Sequence, residues 1–149
     1  MVNNKNEFTF MSGISESNWT SLIDSARVSF NKAYAPYSQF KVGAAALTTN
    51  GNIVQGCNVE NASYGLTVCA ERNCIAQGVI NGEQEFVAIT IYTEQEKLTP
   101  PCGACRQVIA EFFQPTAQVM AVNHLNVRKI WTVAELLPDA FTPKDLLDQ

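Results

Sequence analysis

Apolar residues in the first part of the chain recur at the spacing of an α-helix. They are Trp19, Leu22, Ile23, Ala26, Phe30 and Ala33. This pattern predicts a helix that begins at Ser15 and ends before Pro36, because the residue that precedes a proline avoids the helical region. Residues 1–14 are polar and weakly patterned, so we expect a loose N-terminal extension there and a single folded domain over residues 15–149.

Strand patterns follow this first helix. Residues 41–49 predict a strand, and residues 53–57 predict a second strand that returns beside it. Asn50-Gly51 lies between them and predicts a hairpin turn, because both residues tolerate positive φ. A polar loop over residues 58–65 then leads to a helix that begins near Cys69.

In the second half of the chain, predicted strands again alternate with predicted helices. Residues 86–92 are rich in β-branched side chains and predict a buried strand. Pro101 occupies the place of a first-turn proline, and an amphipathic helix continues from it through Val108, Ile109, Phe112 and Phe113.

Three short elements complete the pattern. Residues 118–122 and 127–131 predict two strands, and Thr142-Pro143 followed by an acidic residue predicts a short terminal helix. Strands that alternate with helices predict an α/β layered domain with a mixed sheet of about five strands.

Composition narrows the class of partner. The chain has 149 residues, of which 46% are hydrophobic and 16% are charged, a balance typical of one globular domain. Its formal net charge is −4 and it has no run of Lys or Arg, which favours a small-molecule substrate over a nucleic-acid polymer. The first residues lack the pattern of a signal peptide and no apolar run is long enough to span a bilayer, so we expect a cytoplasmic protein without a membrane partner.

Three of the five cysteines form a pattern that predicts a metal site. Cys69 precedes Glu71 by two residues, and Cys102 and Cys105 are spaced as Cys-x-x-Cys. Three sulfur ligands suit Zn²⁺ and leave a fourth tetrahedral position for water, as in catalytic zinc sites. A carboxylate beside that position can take the proton of the water and later return it. The same pattern is known in zinc deaminases, with a three-cysteine variant.

A closed structural zinc site is the main alternative, because Cys-x-x-Cys pairs most often belong to such sites. Its fourth ligand would be Cys57, Cys74 or His124. We expect Cys74 to turn away from Cys69 on its helix and to be a buried core residue, as we expect for Cys57. His124 lies in a polar stretch after a strand and has no assigned role.

Three thiolates around one Zn²⁺ leave a net charge of −1, which opposes deprotonation of a bound water. Both cysteine clusters lie at predicted helix N-termini, where partial positive charge favours thiolates. We also expect Arg72 to withdraw charge from the sulfurs by donating hydrogen bonds to them.

Five segments of the chain resemble the cytidine deaminase family, specifically its short, homotetrameric, zinc-dependent class. They are residues 34–44, 56–65, 69–72, 101–108 and 135–141. This resemblance implies a three-layer αβα fold, one Zn²⁺ per subunit, and a homotetramer. It also implies hydrolytic deamination of cytidine and 2′-deoxycytidine with release of ammonia, a reaction of pyrimidine salvage. Cys69, Cys102 and Cys105 are then the zinc ligands, and Glu71 is the proton shuttle.

The resemblance also implies a nucleoside-binding site. Its positions in this chain are Phe40, Asn58, Glu60, Ala62, Tyr64, Ala70 and Phe141. Asn58 and Glu60 correspond to a pair that holds the ribose 3′-hydroxyl, and Phe40 to an aromatic residue that stacks near the pyrimidine. Ala62, Tyr64 and Phe141 match positions that contribute to the site of a neighbouring subunit.

One feature of this chain departs from the family pattern, and two other functions remain as alternatives. Asn73-Cys74 replaces the Thr-Ala of many members, and we expect altered packing behind the metal with no loss of chemistry. A relative that acts on another amino-heterocycle or on a polynucleotide base is one alternative, against which the acidic charge and the Asn58/Glu60 pair weigh. A non-catalytic, zinc-stabilised binding protein is another, but it would have no use for Glu71.

Overall fold

The computed structural model describes residues 13–147, so most of the predicted N-terminal extension lies outside the described residues. Five α-helices, one short 3-10 helix (Tyr64–Leu66) and five strands follow one another in the described range. The helices are α1 (Glu16–Phe30), α2 (Ala70–Ile80), α3 (Gly103–Phe112), α4 (Val133–Leu136) and α5 (Pro143–Leu147). The strands are β1 (Gly43–Thr48), β2 (Ile53–Cys57), β3 (Phe86–Thr93), β4 (Phe113–Asn123) and β5 (Arg128–Thr132).

The five strands form one mixed sheet in the order β2-β1-β3-β4-β5. Strand β1 is antiparallel to both β2 and β3, β3 is parallel to β4, and β5 is antiparallel to β4. Strands β2, β3 and β4 therefore run in the same direction and end at the same edge of the sheet. The segments that follow β2 and β3 lead into α2 and α3, so these two helices begin near this edge.

Helices cover both faces of the sheet, which confirms the three-layer αβα prediction. On one face, Trp19, Leu22 and Ala26 of α1 pack in one core cluster with residues of β1, β3 and β4. On the other face, residues of α2, α3 and α4 form a second core cluster, represented by Ile75 and Ile109. The three clustered cysteines and Glu71 lie on the α2 and α3 side.

Close packing joins α2 to the end of β2. A Cβ atom on Gly56 would lie 2.3 Å from the backbone nitrogen of Cys74 and 2.7 Å from the carbonyl oxygen of Ala70, so this approach requires glycine. The Asn73 side chain donates a hydrogen bond to the carbonyl of Cys57 at 2.9 Å. The helix that carries Glu71 is therefore fixed directly against the strand that leads to Asn58.

Several boundaries differ from the sequence predictions. Pro101 is not a first-turn residue, because Cys102 is the N-cap of α3 and helical backbone begins at Gly103. Phe113 does not continue that helix, since it pairs with Phe86 as the first residue of β4. Helix α4 was not predicted, although Thr132 and Glu135 form a capping box that starts it.

The other elements agree with prediction to within a few residues. Ser15 caps α1 by accepting a hydrogen bond from the backbone N–H of Asn18, and α1 ends at Phe30, five residues before Ala35. The hairpin turn contains Gly51 with φ of +83°. None of the helices within residues 13–147 combines the length and apolar character that crossing a membrane requires.

Candidate metal centre and active site

Two helix starts bring three sulfur atoms together. Cys69 is the N-cap residue of α2, Cys102 is the N-cap residue of α3, and Cys105 lies in the first turn of α3. The three Sγ atoms lie within 4.8 Å of one another, and those of Cys69 and Cys102 are 3.9 Å apart. Sulfurs that each lie ~2.3 Å from one tetrahedral Zn²⁺ would be separated by ~3.8 Å. The donor set and its spacing therefore fit Zn²⁺.

Electrostatic coupling among the sulfurs favours a cation between them. A hydrogen bond from the Cys105 thiol is the largest influence that lowers the pKa of Cys69, to about 5, and Arg72 acts in the same direction. The same interaction with Cys69, together with burial, raises the pKa of Cys105, because a second thiolate beside the first is unfavourable. A bound dication removes this conflict, since a coordinating thiol loses its proton.

Arg72 contacts the sulfur cluster as predicted from the sequence. Its Nη2 atom lies 3.3 Å from Sγ of Cys69, and this hydrogen bond is the main cause that raises the pKa of the guanidinium. Its Nε atom is buried and has no hydrogen-bond partner among the described residues. The contact places positive charge next to the thiolates, where it opposes their excess negative charge.

Glu71 is a buried carboxyl group that follows Cys69 by two residues and forms a hydrogen bond with the Cys105 thiol. Only 5% of its surface is exposed. Burial is the main cause that raises its pKa, while a hydrogen bond with the Cys105 thiol opposes the rise. A raised pKa makes the carboxylate a stronger base, which favours its acceptance of a proton from water.

The other candidate ligands do not join the three sulfurs in the described part of the chain. The Cys74 thiol is fully buried, as predicted, and donates to the carbonyl of Val54 at 3.4 Å. Cys57 was predicted to be a core residue and is only half-buried, because it ends β2, an edge strand of the sheet. His124 is exposed in the turn after β4. These positions give no support to a closed four-ligand site.

Asn58 and Glu60 both bind the segment of residues 37–42. The buried Asn58 side chain accepts from the N–H of Val42 at 2.9 Å and donates to the carbonyl of Phe40 at 2.8 Å. The Glu60 carboxylate accepts from the backbone N–H groups of Tyr37 and Ser38 at 2.9 and 3.1 Å, and from the Ser38 hydroxyl. The Ser38 hydroxyl is the largest influence that lowers the pKa of Glu60.

The segment with Asn58 and Glu60 lies directly beside the metal-binding segment. Val59 and Val68 exchange two backbone hydrogen bonds of 3.0 Å, and Val68 precedes Cys69. The two proposed ribose contacts are therefore held next to the start of α2.

The remaining predicted substrate positions differ in exposure. Phe40 is 36% exposed and does not belong to either core cluster, which argues against a core role. Ala70 is fully buried, with 0% of its surface exposed. Ala62, Tyr64 and Phe141 are all exposed, and Tyr64 and Phe141 expose 75% and 58% of their surface.

Three polar residues near the site received no role from sequence reasoning. The Ser38 hydroxyl joins Glu60 to the backbone N–H of Phe40, which lies 3.0 Å away. Arg106 donates from Nε to the carbonyl of Pro101 at 2.8 Å and from Nη1 to that of Leu136 at 3.0 Å. The side chain of Asn73 donates to the carbonyl of Cys57. Each of the three also contacts a residue distant in sequence, namely Glu60, Leu136 and Cys57 respectively. Only the presence of Ser38 and Arg106 in the matched segments could have pointed to them.

Comparison with known proteins agrees with this geometry. The family model for the cytidine and deoxycytidylate deaminase zinc-binding region matches residues 17–122. A cytidine deaminase of Halalkalibacterium halodurans is 45% identical over 127 residues, which cover 85% of this chain and 96% of the relative. A cytidine deaminase of Mycobacterium tuberculosis is 39% identical over 128 residues, which cover 86% of this chain and 92% of the relative.

A solved structure is similar as well. The crystal structure of cytidine deaminase from Burkholderia pseudomallei superimposes with a TM-score of 0.80 at 44% sequence identity, covering 86% of this chain and all of that one. The chain therefore belongs to the cytidine and deoxycytidylate deaminase family, whose matched region is a zinc-binding region.

Replacing one of the three clustered cysteines should remove the metal. Cys105→Ala should lower the zinc content well below one ion per chain, because two thiolates hold Zn²⁺ much less firmly than three. Elemental analysis of the purified variant measures this. Cys57→Ala is the matched control and should keep its zinc, since Cys57 is a half-buried thiol outside the cluster. Full zinc occupancy in Cys105→Ala would show that the ligand set is different.

Proposed function

We propose that the protein is a zinc-dependent deaminase that converts cytidine and 2′-deoxycytidine, with water, to the corresponding uridines and ammonia. The observation that carries this proposal is the buried Glu71 carboxyl beside three sulfurs at metal-binding distance. The named relatives and the matched family support the same reaction class. Within this proposal, residues 15–149 form one catalytic domain.

The ligands of the proposed zinc ion are Cys69, Cys102 and Cys105. The metal would supply the Lewis acid that makes water reactive toward the amino-bearing carbon of the pyrimidine. Glu71 would accept one proton of that water and give it to the ring nitrogen, and would then carry the second proton, from the new hydroxyl group, to the departing amino group. Its buried, poorly solvated position supports this role, because it raises the pKa of the carboxyl and makes the carboxylate a stronger base toward the proton of the water.

Arg72 and the N-termini of α2 and α3 would offset part of the negative charge of the three zinc-bound thiolates. Three thiolates on one Zn²⁺ carry a net charge of −1, which makes the bound water harder to deprotonate. The contact of 3.3 Å between the guanidinium and Cys69 would offset part of this charge. The N-cap positions of Cys69 and Cys102 would act in the same direction through the free N–H groups of α2 and α3.

Asn58 and Glu60 would select a nucleoside over a free base. Amide and carboxylate groups suit sugar hydroxyls, and both side chains lie beside the metal segment through the Val59–Val68 pairing. Protein hydrogen bonds hold both side chains in fixed positions, so a substrate without the sugar would lose the contact that they make with its hydroxyl. Phe40 would stack near the pyrimidine, and its partial exposure supports that placement.

Assembly and location remain parts of the proposal. We propose a homotetramer in which Ala62, Tyr64 and Phe141 reach the site of a neighbouring subunit, and the exposure of all three supports this. The cytoplasmic location rests on the cysteines: the five are free, and a Cys-x-x-Cys with metal-binding geometry suits a reducing compartment.

The proton-shuttle role can be tested with an isosteric change. Glu71→Gln should keep its zinc and fold but lower kcat for cytidine by roughly 100- to 10,000-fold, because both proton transfers lose their carrier. The loss of cytidine absorbance on conversion to uridine measures kcat, and elemental analysis confirms the zinc. The wild-type enzyme should turn over free cytosine poorly in the same assay.

Glu83→Gln is a matched control for this change. Glu83 is also a buried carboxyl group, but it accepts hydrogen bonds from Asn50 and Asn52 in the β1–β2 hairpin. It should alter stability more than kcat. If Glu71→Gln retained a tenth of the wild-type kcat, Glu71 would not be the shuttle.

The shared-site proposal predicts an effect far from the zinc ligands. Phe141→Ala should raise KM for cytidine and shift the assembly toward smaller species at low concentration, because an exposed aromatic side chain would lose its place at the interface. Sedimentation and cytidine kinetics measure both effects. Leu146→Ala, an exposed apolar residue of α5, should change neither. A fully active wild-type monomer would refute the shared site.

A further inference from the structure

Phe40 is held by both residues of the proposed ribose pair. Its carbonyl accepts from the Asn58 side chain at 2.8 Å. Its backbone N–H donates to the Ser38 hydroxyl at 3.0 Å, and that hydroxyl in turn donates to the Glu60 carboxylate. One ribose residue thus acts on Phe40 directly, and the other acts through Ser38.

The direction of the hydrogen bonds through Ser38 follows from the groups involved. An ionised carboxylate only accepts, and the Phe40 N–H only donates. The Ser38 hydroxyl must therefore give its single proton to Glu60 and use a lone pair for Phe40. Hydrogen bonds in such a chain polarise one another, so a change at the Glu60 carboxylate alters the strength of the hydrogen bond from the Phe40 N–H.

Glu60 has limited capacity left for a substrate. A carboxylate offers about four lone-pair sites, of which the two backbone N–H groups and the Ser38 hydroxyl occupy three. A sugar hydroxyl would take the remaining site or replace one of these donors. Either event changes the hydrogen bonds that hold residues 37–40.

The backbone before Phe40 depends on these contacts. Gln39 has φ of +59°, a left-handed conformation that is uncommon for residues other than glycine. Such a conformation persists where the surrounding contacts hold it in place. Ser38 and Asn58 make contacts on either side of Gln39. Gln39 itself donates from its backbone N–H to the carbonyl of Ala35 and from its side chain to the carbonyl of Pro36, both at 3.1 Å.

We propose that Ser38 is a positioning residue that couples recognition of the ribose at Glu60 to the placement of the Phe40 ring against the pyrimidine. This inference rests on the proposed function, since it takes Glu60 as the ribose contact and Phe40 as the stacking residue. Ser38 itself contacts neither the metal ligands nor the reacting atoms in this account.

The test compares Ser38→Ala with Ser38→Thr, which keeps a hydroxyl, and with Ser21→Ala on the exposed surface of α1 as a control. Ser38→Ala should lower kcat/KM for cytidine by roughly tenfold, mainly through KM, because a hydrogen bond to a charged group is lost. Ser38→Thr should recover most of this loss, and Ser21→Ala should show none. Equal melting temperatures would separate these effects from a loss of stability.

Two further measurements distinguish positioning from a general structural role. Amide hydrogen exchange at Phe40, followed by NMR, should be faster in Ser38→Ala than in the wild type. In a double-mutant cycle, Ser38→Ala should cause little further loss of kcat/KM once Phe40→Ala is present.

The inference would be overturned if the two substitutions lowered kcat/KM independently, so that their fold-losses multiplied. It would also be overturned if amide hydrogen exchange at Phe40 were unchanged in Ser38→Ala. A wild-type enzyme that does not deaminate cytidine would refute the proposed function and the ribose coupling together. An active enzyme in which Ser38→Ala has no effect would refute the role of Ser38 alone.

Discussion

The mutual repulsion of closely spaced thiolates is the constraint on which the rest of this site depends. Three sulfurs within 4.8 Å of one another are stable as ligands only if positive charge compensates them. A dication supplies most of this charge, and Arg72, which donates to Cys69, supplies a further part. Burial beside the sulfurs, with a smaller contribution from the charge of Cys69, raises the pKa of the Glu71 carboxyl.

Strand direction explains why these groups meet. Strands β2 and β3 run in the same direction although β1 lies between them, so the segments after them lead to the same edge of the sheet. Helices α2 and α3 begin there, each with a cysteine at its N-cap. The loop between β2 and α2 carries Asn58 and Glu60, and its pairing at Val59 and Val68 keeps it against the metal segment. The metal site and the proposed sugar site therefore both lie at one edge of the sheet.

Local sequence patterns predicted most of the helices and strands, and they predicted the cluster of three cysteines. Strand β2 ends at Cys57 as its pattern indicated, and the start of α2 at Cys69 follows from the polar loop before it. The start of α3 was wrong by two residues, because a proline also fits the position before an N-cap. The half-buried state of Cys57 depends on β2 being an edge strand, which residue type does not reveal. The contacts of Ser38, Asn73 and Arg106 join distant segments, so they were visible only in the folded structure.

The central claim is that the metal site is open, with three sulfur ligands and one position left for water. X-ray absorption spectroscopy at the zinc edge of the purified enzyme tests it most directly, because it counts sulfur and lighter ligands separately. We predict three sulfurs at about 2.3 Å and one oxygen ligand at about 2.0 Å. Four sulfurs, or a fourth ligand with the outer-shell scattering of an imidazole ring, would contradict the account.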